Sequence, residues 1–456
     1  MSGIPLIIAF IIAIILMIYA ISKLKIHPFL SIMAISLIFA IVAGIPLTEI
    51  PDVIGTGFSN TFKSIGIVII FGALIGTLLE KTGAALKMAD VVVRLVGKKK
   101  PELAMLLMGW IVSIPVFCDS GFVILNPIRK ALVKRTGRSS VASTIALSMG
   151  LYIAHCFIPP TPGPIAAANT LYTGVGQDVN LLLVIIFGIL ASILPLIASY
   201  FFAIWVGKRV KDKEELGESN KEQIVQTYEE LVASYGKLPS AWLSFAPIVV
   251  PILLMALSSA LAMAQIEIPI ITFLGTPIIA IAVGVLLALY VLVTQKRTGD
   301  FYELIEETLK VSSPILFITA AGGVLGNVIA NTTMVDFIKE NSTVLAAMGL
   351  MFPFLLSAIL KTAQGSSTVA LTTTAGIIAP MLTSIGLATS ELIALTVIAI
   401  GAGAMTVSHA NDSYFWVVTN FGNMKVEDGY KTQTLGTLIV GITSIISVYI
   451  LYLFVR

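Results

Sequence analysis

The chain has 456 residues, of which 57% are hydrophobic and only 12% charged, with a mean hydropathy of +0.99. Soluble proteins carry roughly 25% charged residues, so a soluble enzyme or a nucleic-acid-binding domain is excluded and a multi-pass membrane protein is indicated. The net charge of +3 is small; its placement helps to orient the chain but does not identify a partner.

Apolar runs long enough to span a bilayer fall at about 4–22, 27–46, 64–80, 139–158, 181–207, 241–263, 271–294, 311–330, 389–408 and 434–455. The first reads as an uncleaved span, because no basic region precedes it and no small-residue cleavage site follows it. Ala84–Val96 is too short and too charged to cross, and suits an amphipathic helix in the inner interface. Two more apolar regions, 103–133 and 343–385, are broken in the middle by Pro115-Val-Phe-Cys-Asp-Ser-Gly121 and Lys361-Thr-Ala-Gln-Gly-Ser-Ser-Thr368. Helix breakers at both centres favour re-entrant hairpins over paired crossings.

Charge placement orients these elements. With the N-terminus outside and both broken regions re-entrant, all but four of the 28 basic residues lie inside, as the positive-inside rule requires. The exceptions are Lys63, Lys339, Lys361 and Arg456. The charged stretch Lys208–Lys237 then reads as a cytosolic linker.

The two halves repeat the same order: three spans, a broken region, a span ending near a histidine, a polar break and a last span. His155 and His409 occupy corresponding places, and Gly72 and Gly76 match Gly322 and Gly326. Such glycines favour close helix packing, and Asn327 and Asn331 add polar groups on the eighth span. Five crossings per half is an odd number, so the second half must be inverted. The expected fold is therefore all-α, with about 10 crossings, two re-entrant helical hairpins and two broken helices. It divides into a first inverted repeat (1–207, with hairpin 103–133 and broken helix 139–170), a linker (208–240) and a second repeat (241–456, with hairpin 343–385 and broken helix 389–422). Inverted repeats with discontinuous helices mark transporters, with the site at the repeat interface.

Four breaks carry the candidate chemistry: Cys118-Asp-Ser-Gly121, His155 to Pro164, Gln364-Gly-Ser-Ser-Thr368 and Ser408-His-Ala-Asn-Asp-Ser413. Asp119 or Ser120, Ser366 or Ser367, and Asn411 to Ser413 are good N-cap types, and Pro164 suits a first helical position. Four helix N-termini meeting near midplane would offer free N–H groups and partial positive charge to an anion. The expected substrate-binding residues are Asp119, Ser120, Gly121, Thr161, Pro162, Gly163, Lys361, Gln364, Gly365, Ser366, Ser367, Thr368, Asn411 and Ser413. Their hydroxyls and amides suit a hydroxylated carboxylate.

Ionisable groups at these breaks are the candidates for proton coupling: Asp119, His155, His409 and Asp412. Asp119 and Asp412 each have a second reading as a helix cap, and Lys361 reads either as partner to a substrate carboxylate or as half of an ion pair. His27, Cys118 and Cys156 read as structural, the cysteines as free thiols. An ionised acid beside a substrate carboxylate repels it, and protonation removes the conflict, so anion and proton would bind together. No metal-ligand spacing, cofactor loop or activated nucleophile appears, so neither an enzyme nor a cofactor is expected. Sodium coupling stays open as an alternative.

The stretches IPVFCDSGFVILNP, HCFIPPTPGP, LKTAQGSSTVA and AMTVSHANDSYFWV resemble the gluconate permease (GntP, gluconate:proton symporter) family of the ion transporter superfamily. The order and spacing match over essentially the whole chain. The resemblance implies proton-coupled uptake of gluconate or a related sugar acid, with glycerate and D-serine carriers as alternatives, in a bacterial inner membrane. It also implies a homodimer working by an elevator mechanism. Thr161 stands where His is expected in better-known members, and CDSGF where FDVGF is expected. Both differences fall beside the expected ligand.

Overall fold

A computed structural model describes residues 3–96, 100–212, 237–263, 266, 268–333, 348–409 and 412–455. Among these there is no β-strand, so the expected all-α class is the observed one. Most of the linker, the start of the expected second hairpin region and Asn411 lie outside the described residues.

Local chemistry sets many helix ends. Proline occupies the first turn of α2 (Pro28–Ala43), α5 (Pro101–Val112), α8 (Pro162–Gly174) and α12 (Pro277–Thr294), where its missing N–H costs no helical bond. Side-chain oxygens of Ser139, Asn180 and Thr389 cap α7 (Ser140–Phe157), α9 (Leu181–Gly207) and α16 (Ser390–Ala404). Within the apolar helices, hydroxyls such as those of Ser36, Thr77 and Ser192 donate to the carbonyl four residues earlier, since lipid offers no other acceptor.

Two helices are longer than the sequence suggests. The third span, expected at 64–80, is the C-terminal half of α3 (Ile50–Lys81). The eighth, expected at 311–330, belongs to α13 (Phe301–Ala330). Polar residues such as Asp52, Asn60 and Lys63 hide the α3 extension from a hydropathy reading. Its support is tertiary: α3 and α13 cross antiparallel, with Asn327 Nδ2 donating to the Val53 carbonyl (2.7 Å) at one end and Lys81 paired with Glu307 (3.0 Å) at the other. The expected span 271–294 is divided by an extended Thr276 into α11 (Pro269–Gly275) and α12. Among the described residues seven helices are long and apolar enough to cross a membrane, or eight if α3 and α4 (Ala84–Val96), bent by 73°, count as one. The other expected crossings fall on shorter helices such as α2 (16 residues) and α16 (15 residues). Of α4, the expected interface helix, Ala84, Leu86, Met88 and Val92 are buried, and Lys87 and Arg94 both close on buried Asp90 at 2.9 Å.

The hairpin and broken helices occupy the centre. In the first half α5 and α6 (Cys118–Thr136) form the hairpin, and α7 and α8 the broken helix. In the second half α14 (Met351–Gln364) and α15 (Ser367–Ile378) form the hairpin, and α16 and α17 (Ser413–Phe421) the broken helix. The short α18 (Val426–Gly429) then runs through a π-helical turn, Tyr430–Thr434, into α19 (Leu435–Val455). All of α7, and every residue of α15 but Thr368, is buried. By contrast α1 (Gly3–Ser22), α10 (Ala241–Met263), α12 and α19 each leave large apolar side chains exposed, as lipid-facing helices do.

The same pairings recur in both halves: α5 packs on α7 and α7 on α9, while α14 packs on α16 and α16 on α19. Backbone-close contact makes this possible. Gly150 lies directly on the Leu106 carbonyl, and Gly403 on that of Phe354. A β-carbon at either place would overlap a backbone oxygen that cannot move aside. Gly150→Val should therefore cost about 3 kcal/mol or more through overpacking and lower the thermal midpoint of the purified protein. Gly55→Ala, which meets no atom within 4 Å, should cost no more than about 1 kcal/mol.

Candidate functional site

The second half supplies the site's charged centre. Lys361 lies on the last turn of α14; Gly365 (φ 92°) ends that helix in the left-handed region and Ser366 caps α15 through the Val369 N–H at 3.3 Å. Lys361 is fully buried, and its Nζ lies 2.8 Å from Oδ2 of Asp412. The same oxygen accepts from Ser408 Oγ at 2.6 Å, and Asp412 Oδ1 caps α17 by accepting from the Tyr414 N–H at 3.0 Å. Asp412 is thus both helix cap and counter-ion. Beside it, His409 Nε2 meets the Thr362 carbonyl at 3.1 Å, a second tie between the break and the hairpin tip.

This break is clamped from behind. Ser408 N–H donates to Thr437 Oγ1 (2.8 Å), and Thr434 Oγ1 donates to the Ser408 carbonyl (2.6 Å). Next to it Val407 has φ 57°, a conformation costly for a β-branched residue, which the flanking bonds hold in place.

Asp119 approaches the pair from the first half. It is not the N-cap of α6, as its residue type suggested: Phe117 holds that place, and the break lies four residues earlier than the acid-centred reading, over 113–117. Asp119 stands in the first turn, half-buried, with Ser413 Oγ at 3.5 Å and Cys118 Sγ at 3.9 Å. The N-termini of α6 and α17 therefore meet. Those of α8 and α15 also meet, because the Gly163 Cα faces Leu371 and the Thr368 backbone. Pro162, and not Pro164, opens α8.

Both pairs converge on the end of α7. There the Phe117 ring lies 5.9 Å from the His155 ring, α15 packs against α7, and the Tyr152 hydroxyl donates to the Ala404 carbonyl at 3.4 Å. Below them, Tyr152 and Tyr414 pack at 5.0 Å between ring centroids, and the Tyr414 hydroxyl donates to the Ser148 carbonyl.

Some expected ligands have other partners. Thr161 is buried and its hydroxyl donates to the His155 and Ile158 carbonyls (3.0 and 2.8 Å), shaping the first break. The Gly121 and Gly365 N–H groups donate within their own chain turns, to Phe117 and Lys361, and the Gly121 Cα faces Leu151. These two N–H groups are not available to an anion, because a helix end engages each of them. Asn411 and the side chains of Ser120 and Gln364 lie outside the described residues.

A profile of GntP family permeases matches residues 4–454. The chain belongs to the GntP permease family. Among this permease's relatives are an uncharacterized permease of Haemophilus influenzae, 34% identical over 448 residues (95% of this chain, 89% of that protein), and a gluconate permease of Zymomonas mobilis, 30% identical over 444 residues (95% of each). A D-serine transporter, DsdX, of Escherichia coli is 27% identical over 451 residues (96% of each). The permease also shares its fold with the Alcanivorax borkumensis YdaH transporter, described as having an unusual topology, at a TM-score of 0.60 and 15% identity, over 93% of this chain and 98% of that one. This GntP permease is thus a multi-pass protein of the cell membrane, and its relatives are transporters and not enzymes.

Two polar residues of this permease that matter were not singled out from sequence. Arg129 looked like one more inner-loop cation. It is buried, donating to Asn126 Oδ1 (2.8 Å), to Ser140 Oγ (2.9 Å) and to the Phe421 carbonyl (3.5 Å), and so ties hairpin α5–α6 to the start of α7 and the end of α17. Gln433, also buried, accepts from Ser148 Oγ at 2.8 Å. Its only sequence signal is the polar run Lys431-Thr-Gln-Thr434 at the edge of the last span.

Breaking a buried ion pair from one side leaves an uncompensated charge and costs roughly 3–5 kcal/mol. Lys361→Met and Asp412→Asn should each lower the thermal midpoint in detergent accordingly. Asparagine can still cap α17, so the double variant should recover most of the loss. Equal, additive losses in a double-mutant cycle would show that the pair is not the source.

Proposed function

We propose that this permease takes up a small hydroxylated monocarboxylate, gluconate or a related sugar acid, together with a proton. The observation that carries this reading is the buried Lys361–Asp412 pair at the meeting point of a hairpin tip and a helix break. A substrate carboxylate is chemically equivalent to the Asp412 side chain, and it competes for the same ammonium group. Two carboxylates facing one lysine leave an excess negative charge where the dielectric is low, and like charges about 4 Å apart repel by about 4 kcal/mol at an effective dielectric of 20. A proton on Asp412, or on Asp119 across the Ser413 bridge, removes that cost. Anion and proton then favour each other's binding, and the empty carrier keeps its own internal ion pair.

Hydroxyl groups around the pair supply contacts for a polyhydroxylated tail: Ser367, Thr368 and Ser413 line the same meeting point. The relatives named gluconate permease support the substrate class, and the D-serine transporter marks the nearest alternative, a short hydroxylated amino acid.

The same proposal includes an inverted repeat, a homodimer and elevator-type movement. The movement finds support in the seam between α13 and α15. There the Gly322 Cα faces the Thr372 carbonyl and the Gly326 Cα faces that of Gly376. Backbone against backbone, with few interlocking side chains, is a surface along which a helix can slide at low cost. Gly326→Val should block uptake more severely than it lowers stability, measured as transport rate against thermal midpoint.

Labelled gluconate uptake into proteoliposomes tests the central reading. Uphill accumulation is expected under an inward proton gradient and should collapse with a protonophore. Asp412→Asn should keep exchange of labelled for unlabelled substrate while losing accumulation. Uptake that follows a sodium gradient at fixed pH would overturn proton coupling, and a response to dicarboxylates alone would overturn the substrate class.

A further inference from the structure

His155 is 3% exposed, and its Nδ1 is buried with no hydrogen-bond partner. A buried polar group without a partner costs about 1–3 kcal/mol, and such groups in native proteins call for an explanation. Thr373 and Thr374 on α15 also carry unpartnered buried hydroxyls. A threonine hydroxyl can rotate to bond a carbonyl of its own helix, but a planar imidazole nitrogen has no such outlet. His155 is held from both sides: the Phe117 ring at the tip of the first hairpin covers it, and Thr161 bonds its carbonyl.

Its position matters as much as its isolation. His155 stands near the end of α7, where both pairs of helix N-termini converge. The Phe117 ring beside it is at the N-cap of α6, whose Asp119 meets Ser413, the residue next to Asp412, the partner of Lys361. Lys361 and His155 thus stand at two ends of one chain of contacts, a cation at one and an unpartnered ring nitrogen at the other.

We infer that His155 is a specificity-determining residue: its Nδ1 takes a hydroxyl group of the substrate while the carboxylate lies toward Lys361. A hydroxyl donates and accepts, so it satisfies Nδ1 in either tautomer. An aliphatic chain of the same length leaves the nitrogen orphaned, so the site selects hydroxylated acids by the penalty it places on the others. This assigns His155 to recognition, with the proton step left to the carboxylates, and it rests on the sugar-acid reading above.

The test compares full-length protein in proteoliposomes with three variants, using gluconate as substrate and hexanoate as an unhydroxylated competitor. His155→Phe keeps a flat ring without nitrogen. His155→Asn places an amide near the Nδ1 position, and His155→Gln places one near Nε2. Thermal midpoints confirm folding. The expected result is a gluconate KM raised about tenfold by H155F and H155Q, with H155N within about threefold of wild type, and inhibition by hexanoate strengthened in H155F, where no nitrogen is left orphaned. Equal weakening toward gluconate and hexanoate in H155F would make His155 structural and overturn the inference, as would an unchanged gluconate KM. If wild type transports no hydroxylated acid, the substrate reading itself fails. If wild type carries gluconate and H155N matches H155F, only the role of His155 falls.

Discussion

Two opposite charges buried together hold the centre of this protein. Placing one ionised group in an apolar membrane interior costs about 3 kcal/mol or more, and the chain buries Lys361 and Asp412 as a pair. Their pairing decides the local architecture. Asp412 has two oxygens and uses both, one on the lysine and Ser408 and one on the N-terminus of α17. The helix break, the hairpin tip and the internal ion pair are therefore one unit, and no part of it relaxes without disturbing the others.

Around that unit the chain handles its backbone economically. Where helices cross at the centre, glycine lets carbonyl oxygens lie against Cα atoms, as at Gly150 on Leu106 and Gly403 on Phe354. Where helices break, exposed ends are capped by Asp412 and Ser366 or bonded by neighbouring hydroxyls. Buried Arg129 does the same for the far end of the first hairpin, joining α6 to the start of α7 and to the end of α17, 292 residues away. Among the described residues a small set of buried side-chain atoms is left without a partner, His155 Nδ1 at the end of α7 among them.

Much of this was legible in the sequence because breaks announce themselves. Proline, glycine and small polar residues inside apolar runs located both hairpins and both broken helices, whereas the two histidines are placed differently, His155 buried within α7 and His409 in the break after α16. Position within a break was harder. Asp119 has the chemistry of a cap, yet Phe117 takes the cap position, because Pro115 ends the turn before the acid is reached. The length of α3 was hidden for a different reason: its first turns are polar, and only the crossing with α13, through Asn327 and Gly57, makes them helical. Arg129 was misplaced because a cation near a span end looks solvated until tertiary partners are known. The role of Lys361 was undecidable from one strand of evidence, since its partner lies 51 residues away.

The two breaks are closed differently. The first is sealed by its own chain, with Thr161 bonding the carbonyls just before it. The second borrows its closure from Thr434 and Thr437, at the root of a helix whose outer face carries Leu438, Ile442, Ile446 and Ile450 into lipid. The chemical centre and the bilayer are thus mechanically joined through one helix. Thickness and lateral pressure act on α19, α19 holds Ser408, and Ser408 holds Asp412, so the surrounding lipid becomes one of the quantities that set how firmly the Lys361–Asp412 pair is held.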